Sequence, residues 1–232
     1  MDTNTFIIKC PHCGAEKKVT FSAHLTPDTK YTMWSDYRID CEGWLETIHT
    51  QQCPSCMKFY ILPKLSELRK VDSPNNDNGQ LSYETLKLAI AELSGDEFAE
   101  PWARLEAWRA YNALYQDVEE VPIEEQEFYR ANMQWLVDFH TPRAKWFSLL
   151  IFELNRLLGN KEVCKQMLDD FTFDAYVEKV KMRDQEKGIQ REYDEQTLMS
   201  RYNDQVDVLS YMLNQPPKTF DLIFAKDNRK LI

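Results

Sequence analysis

Cys10-Pro11-His12-Cys13-Gly14 and Cys53-Pro54-Ser55-Cys56 are two cysteine knuckles, each with two residues between its thiols. Four sulfurs in two C-x-x-C pairs are the donor set of a tetrahedral structural zinc site. One C-x-x-C alone would also suit a redox dithiol, so it is the pairing that makes the reading specific. Proline after the first cysteine of each knuckle fixes φ where the chain enters the turn. Gly14 can take the positive φ that swings backbone N–H groups toward sulfur. The expected metal ligands are therefore Cys10, Cys13, Cys53 and Cys56, holding structural Zn2+, with iron as the alternative ion.

The flanks of the knuckles read as short strands. Phe6 to Lys9 enters the first, Lys17 to Ser22 leaves it with Val19 and Phe21 on one face, and Phe59 to Leu62 leaves the second until Pro63 ends it. Two hairpins joined by one metal is a layout that resembles zinc ribbons and rubredoxin, over about the first quarter of the chain. The resemblance implies a small ribbon with a structural metal, and leaves the biological role open. Here 39 residues separate Cys13 from Cys53. Loop closure costs rise slowly with length, so an insertion of this size is compatible with one shared ion.

That insertion is rich in aromatics, with Tyr31, Trp34, Tyr37 and Trp44 beside Asp36, Asp40, Glu42 and His49. Trp34, Asp36 and Trp44 form a candidate binding surface, because rings with nearby carboxylates often line binding sites. The alternative is that the rings cover a ribbon too small to have an adequate core, or dock it onto the rest of the chain. Cys41 reads as a buried thiol, since the knuckles already supply four ligands. His12 is expected to point away from the ion, and His24, His49 and His140 have no second histidine at helical spacing.

Residues 72–80, Asp-Ser-Pro-Asn-Asn-Asp-Asn-Gly-Gln, are polar and rich in turn formers, and read as a linker between a ribbon domain at 1–71 and a second domain at 81–232. Beyond it the apolar period changes from two to about 3.6. Ser82 caps a helix carrying Leu86, Ile90 and Leu93 that closes near Gly95. Pro101 opens a second with Trp102, Leu105, Trp108, Asn112 and Tyr115 as its buried stripe. A third follows the acidic run 119–127 and presents Phe128, Trp135, Leu136 and Phe139. Thr141-Pro142 reads as cap and first residue of a fourth helix running to Gly159, the most apolar of the set. Asn160 caps a fifth, a sixth carries Phe173 to Val180, the charged stretch 181–195 reads as a turn, and a last helix ends near Asn214. The fold class is α+β, a small β-rich ribbon followed by a larger all-α array of helical hairpins.

The junction Glu153-Leu154-Asn155-Arg156-Leu157-Leu158-Gly159-Asn160-Lys161-Glu162-Val163-Cys164 resembles that of a tetratricopeptide unit, with Cys164 at the small-residue position where the two helices cross. The resemblance implies that Cys164 packs rather than reacts, and gives no repeat count. The whole arrangement, including Trp34-Ser35-Asp36, resembles bacterial proteins that join a Cys-Pro-x-Cys ribbon to a helical region, which implies an architecture and no activity. After Pro216-Pro217 the apolar cluster Phe220 to Phe224 is expected to dock onto the helices, or else to bind a partner.

With 38 Asp and Glu against 28 Lys and Arg, the net charge is −10 and disfavours a general nucleic-acid binder. Residues 1 to 70 hold nine basic and eight acidic residues, so the ribbon is a poor match for phosphate too. The segment Met1 to Thr5 has no basic n-region and Phe6-Ile7-Ile8 is too short for a signal core, so no membrane span is expected and the cytoplasm is favoured, where C-x-x-C pairs bind metal rather than form disulfides. There is no G-x-S-x-G, P-loop, G-x-G-x-x-G or H-E-x-x-H, and six glycines leave little material for a phosphate loop. An all-cysteine site has no open position for hydrolysis. The preferred function is accordingly a non-catalytic interaction or scaffold protein with a protein or peptide partner. The alternatives are a rubredoxin-like electron-transfer module, and an enzyme or nucleic-acid factor with its site in the aromatic insertion.

Overall fold

The computed structural model describes residues 2–24, 32–34, 36, 39–40, 45–64, 67–72, 78–115, 118–189, 194–214 and 222–225. Strand β1 (Asp2–Lys9) pairs antiparallel with β2 (Glu16–His24) and with β7 (Arg69–Val71). In the register Thr5 lies opposite Thr20, and their hydroxyls bond at 2.8 Å. A second sheet pairs β5 (Thr50–Gln52) with β6 (Phe59–Ile61) around the second knuckle. The ribbon core is Ile8, Val19, Phe21, Tyr60 and Leu62 packed with Cys10 and Cys53, so Val19 and Phe21 do share a buried face. Seven side chains form a small core, of the size that usually needs a staple.

A third sheet has the order β4-β3-β8, in which β3 (Thr32–Trp34) is flanked by β4 (Ile39–Asp40) and by β8 (Leu222–Ala225). Leu222 to Ala225 thus join the insertion as an edge strand, where docking onto the helices or binding of a partner was the expectation for the cluster Phe220 to Phe224; Phe220 lies outside the described residues. The reason is available hydrogen bonding: β3 offers an open ladder edge, and a four-residue apolar strand satisfies its backbone there.

The helices are α1 (Tyr83–Glu92), α2 (Ala99–Tyr115), α3 (Ile123–His140), α4 (Leu149–Leu158), α5 (Lys161–Asp169), α6 (Phe173–Glu186) and α7 (Glu195–Asn214). Each of α1 to α4 packs on the next, after which α7 packs on both α5 and α6. Ser82 caps α1 through its side chain to the Thr85 amide, and Gly159 at φ 85° ends α4 with Asn160 N–H on the Asn155 carbonyl, the six-to-one bond of a Schellman turn. Among the described residues no helix is long and apolar enough to cross a membrane. The architecture is α+β, a strand-rich N-terminal part followed by the helical array.

Three expected helix details differ, the first being that α6 runs on to Glu186, into the charged stretch read as a turn from 181. Thr141–Arg143 form a 3-10 turn that continues α3, Ala144 is extended, and α4 begins only at Leu149 under a Ser148 cap. Proline suits the first turn of either kind of helix, so Thr-Pro marked a helical start without marking this one. In α2, Trp102 is among the exposed apolar residues, while Ala103, Ala107, Trp108, Tyr111 and Asn112 are buried. The helix is covered on more than one face, and two alanines allow the close approach of α1 and β6.

Helix α4 is buried all round, from Ile151 through Leu157. It links two clusters, giving Leu154 and Leu157 to the one built on Trp108, Tyr111, Tyr129, Met133 and Leu136, and Phe152 to the one built on Cys164, Phe171, Tyr176, Leu198, Leu209 and Met212. Its charged pair is neutralised in place: Arg156 donates from Nε and Nη2 to the two Glu153 carboxylate oxygens at 2.6 and 2.9 Å.

The ribbon and the helices do not have wholly separate cores. Phe59 of β6 lies in a cluster with Leu86, Ala89, Ile90, Ala103 and Ala107 of α1 and α2. The end of the linker is tied in as well, with Asn78 Nδ2 donating to the Glu46 carbonyl at 3.2 Å. Gly79 has φ 75° and a Cβ on it would overlap the amide of buried Gln51, which itself donates to the Ile48 carbonyl. Gly79→Ala is therefore expected to cost about 1–3 kcal/mol, from left-handed strain and displacement of Gln51. Urea denaturation checks this; an unchanged midpoint would mean that the linker is not fastened to β5.

Candidate metal centre

The two knuckles repeat one backbone design. In the first, Gly14 N–H bonds the Cys10 carbonyl and Cys10 N–H bonds Ala15; in the second, Met57 N–H bonds the Cys53 carbonyl and Cys53 N–H bonds Lys58. The residue after the second cysteine has positive φ in both, Gly14 at 74° and Met57 at 61°. Methionine there adopts a left-handed conformation that glycine takes without cost, and its side chain is left exposed.

These turns bring the four sulfurs of Cys10, Cys13, Cys53 and Cys56 within 4.8 Å of one another. The cross-knuckle distances are 3.7 Å for Cys10 to Cys56 and 3.6 Å for Cys13 to Cys53. Four sulfurs at about 2.3 Å from one ion in tetrahedral geometry lie about 3.8 Å apart, so the cluster has the dimensions of a tetrathiolate shell. All four cysteines are free thiols, far outside disulfide distance. The donor set and spacing fit zinc or iron alike.

Backbone amides aim at the sulfurs. His12 N–H reaches Cys10 Sγ at 3.4 Å, and Ser55 and Cys56 N–H reach Cys53 Sγ at 3.4 and 3.5 Å. The Cys56 and Ser55 amides favour the thiolate and bring Cys53 down to about 6 against the opposing effect of burial. Cys13 is pushed up to about 12: the Ala15 amide favours its thiolate, but its hydrogen-bonded thiol neighbours and burial outweigh that amide. Adjacent thiols resist joint ionisation, and a divalent cation is the group that would relieve the repulsion. His12 is turned outward, its Nε2 at 3.1 Å from the Phe59 carbonyl.

Of the candidate surface Trp34, Asp36 and Trp44, the structure places Trp34 in β3 and Asp36 inside the fold, while Trp44 lies outside the described residues, as does Cys41. Asp36 has no exposure and accepts from Asn112 Nδ2 at 2.8 Å. Asn112 Oδ1 accepts from the Tyr129 hydroxyl at 2.8 Å, and that hydroxyl accepts from Trp108 Nε1 at 3.2 Å. Its carboxylate is thus used within a buried network that reaches from the insertion through α2 to α3.

Sequence reasoning missed the partners on α2. Glu106 Oε1 accepts from His49 N–H at 2.6 Å, and its Oε2 accepts from Thr50 N–H at 3.1 Å. Arg109 donates from Nε to the Asp36 carbonyl and from Nη1 to Glu46, both at 3.0 Å. The His49 ring stacks on Trp102 with centroids 3.9 Å apart. The available signal was the polar residues of Glu106-Ala107-Trp108-Arg109-Ala110-Tyr111-Asn112, set among small and aromatic neighbours where a merely amphipathic helix would be apolar. Beside them lies a small cleft of about 70 Å³, lined by Glu46, Ile48, Leu81, Glu106, Arg109 and Ala110.

Comparison with known proteins found no matching family model, no matching curated protein and no matching solved structure.

Proposed function

We propose that Cys10, Cys13, Cys53 and Cys56 hold one structural metal ion, zinc in the first reading, and that the chain is a non-catalytic interaction protein. The observation that carries the metal is the four-sulfur cluster at tetrathiolate spacing. Such a shell is closed and offers no site for an activated water, and the buried carboxylates of Asp36 and Glu106 are engaged by Asn112 and by backbone amides, which supports a role without chemistry.

The partner in this reading is a protein or peptide bound on the helical array. Large apolar side chains stand exposed at Leu88, Phe98, Leu114 and Ile123, on or beside α1 to α3. The tetratricopeptide-like character of the array belongs to the proposal too, supported by the tight α4-Gly159-α5 turn. Cys164 is buried at its crossing with its Sγ 3.5 Å from the Phe152 carbonyl, and burial pushes this thiol up to about 11, which suits packing. A reducing cytoplasm is the compartment in which the free thiols would persist.

A second reading, electron transfer through iron, has one observation in its favour: Cys13 is exposed and Cys56 partly so, so the cluster reaches the surface. Metal analysis and the visible spectrum of purified protein separate the two. Colourless protein with one zinc per chain supports the first reading; red protein with thiolate-to-iron charge-transfer bands supports the second and removes the first. For the partner, capture from cell extract is compared between the wild type and a Leu88→Ser, Phe98→Ser variant. Loss of a specific co-purifying protein supports the docking surface, and unchanged capture contradicts it.

A further inference from the structure

Resting on the structural-zinc reading of the four-sulfur cluster, we infer that the cluster is also a site of oxidative modification with a set pairing. A hydroperoxide converts it to two disulfides across the knuckles, Cys13–Cys53 and Cys10–Cys56, which free the ion and take over its task of joining the two hairpins. Four cysteines allow three pairings, and the placement of the sulfurs selects this one.

Each knuckle has one cysteine at the surface and one inside. Cys13 is exposed and Cys56 partly so, whereas Cys10 and Cys53 keep 3% and 1% of their surface. The surface cysteine of each knuckle lies beside the buried cysteine of the other, with Cys13 Sγ 3.6 Å from Cys53 Sγ and Cys56 Sγ 3.7 Å from Cys10 Sγ. A dissolved oxidant meets the first member of each couple, and the second waits against it. That is the arrangement of a reacting and a resolving thiol.

The chemistry closes with a hydroperoxide as the only co-reactant. The Cys13 thiolate attacks the outer peroxide oxygen, the O–O bond breaks, and an alcohol, or water from hydrogen peroxide, leaves with a proton from solvent. Sulfur has given up two electrons and carries a hydroxyl. The Cys53 thiolate then attacks that sulfur, the S–S bond forms, and the S–O bond breaks to release hydroxide, which takes a proton to become water. Cys56 and Cys10 react in the same way with a second hydroperoxide. Four thiolates become two neutral disulfides, and no donor set for the cation remains.

The pairing decides what happens to the fold. A bond within a knuckle would join cysteines three positions apart and leave the hairpins unconnected once the ion is gone. The cross-knuckle bonds span 40 and 46 positions and tie β1 and β2 to β5 and β6, as the ion does. Links across loops of this length restrict the unfolded chain strongly, so the oxidised ribbon keeps its small core without metal.

Reduced protein of measured zinc content, treated with hydrogen peroxide, tests this in the intact chain. Expected are release of the zinc to a chelating dye with about two equivalents of oxidant, a mass loss of about 4 Da, and recovery on reduction with added zinc. Partial reduction with alkylation, read by tandem mass spectrometry, should label Cys13 with Cys53 and Cys10 with Cys56. Hydrogen exchange at Ile8 and Val19 should stay within about tenfold of the zinc form, and be protected on the order of a hundredfold more than in reduced, metal-free protein. Bonds within a knuckle, bonds to Cys41 or Cys164, sulfinic or sulfonic acids in place of disulfides, retained zinc, or protection as low as in the reduced metal-free chain each overturn the inference alone. Starting protein that holds no zinc overturns the structural-zinc reading with it.

Discussion

Cys53→Ser is expected to lose the metal and unfold the ribbon while leaving most of the helical signal in place. Cys53 is the most buried junction of the design, lying within the ribbon core and receiving two amide hydrogen bonds on its sulfur. Structural tetrathiolate sites in small domains contribute on the order of 10–16 kcal/mol, and a seven-residue core has no reserve to replace that. The two larger helical clusters contain no ribbon residue, so α3 to α7 should keep their circular dichroism. The loss should extend to the α1–α2 cluster, because Phe59 leaves with the ribbon. Metal analysis together with amide exchange checks this. Wild-type metal content and an unaltered melting curve would contradict it, and so would collapse of the whole helical signal.

Trp108→Ala is expected to destabilise the helical part by about 3–5 kcal/mol, the range for truncating a large buried aromatic. Trp108 has no exposure and lies in the cluster that joins α1, α2, α3 and α4. Its indole N–H also donates to the hydroxyl of Tyr129, whose ring stacks on Tyr111; that hydroxyl donates to Asn112, which in turn donates to Asp36. Truncation would create a cavity and remove a donor from a buried chain of hydrogen bonds, two costs with the same sign. Denaturant titration followed by far-ultraviolet circular dichroism reads the change. A shift below about 1 kcal/mol would mean that this network is not a core.

The parts of the fold legible in the sequence are those whose cause is local. A knuckle is a turn with two ligands and its own backbone bonds, so Cys10 to Gly14 and Cys53 to Cys56 could be recognised from spacing and proline alone. Ser82 and Gly159 announced helix ends because each acts within one turn. Thr141-Pro142 was equally local in its signal, yet the 3-10 turn and the extended Ala144 intervene before α4, and nothing in a dipeptide distinguishes the two outcomes.

Features that depend on distant partners were not legible. Asp36 could be seen as a carboxylate among aromatics, but only the fold brings Asn112 to it across 76 residues of chain. Glu106 resembled any helical glutamate until β5 placed two amides against it. The apolar cluster near the C-terminus clearly needed cover. That its strand partner is β3, some 190 positions earlier, follows from an open strand edge that no periodicity in the tail reveals.

The claim on which the rest depends is one ion bound by four sulfurs drawn from both knuckles. Metal-edge X-ray absorption on protein of measured metal content tests it most directly. The account predicts one ion per chain surrounded by four sulfur atoms at about 2.3 Å. A shell containing nitrogen or oxygen, fewer than four sulfurs, or metal-free protein in which the same cysteines are found paired as disulfides would contradict it.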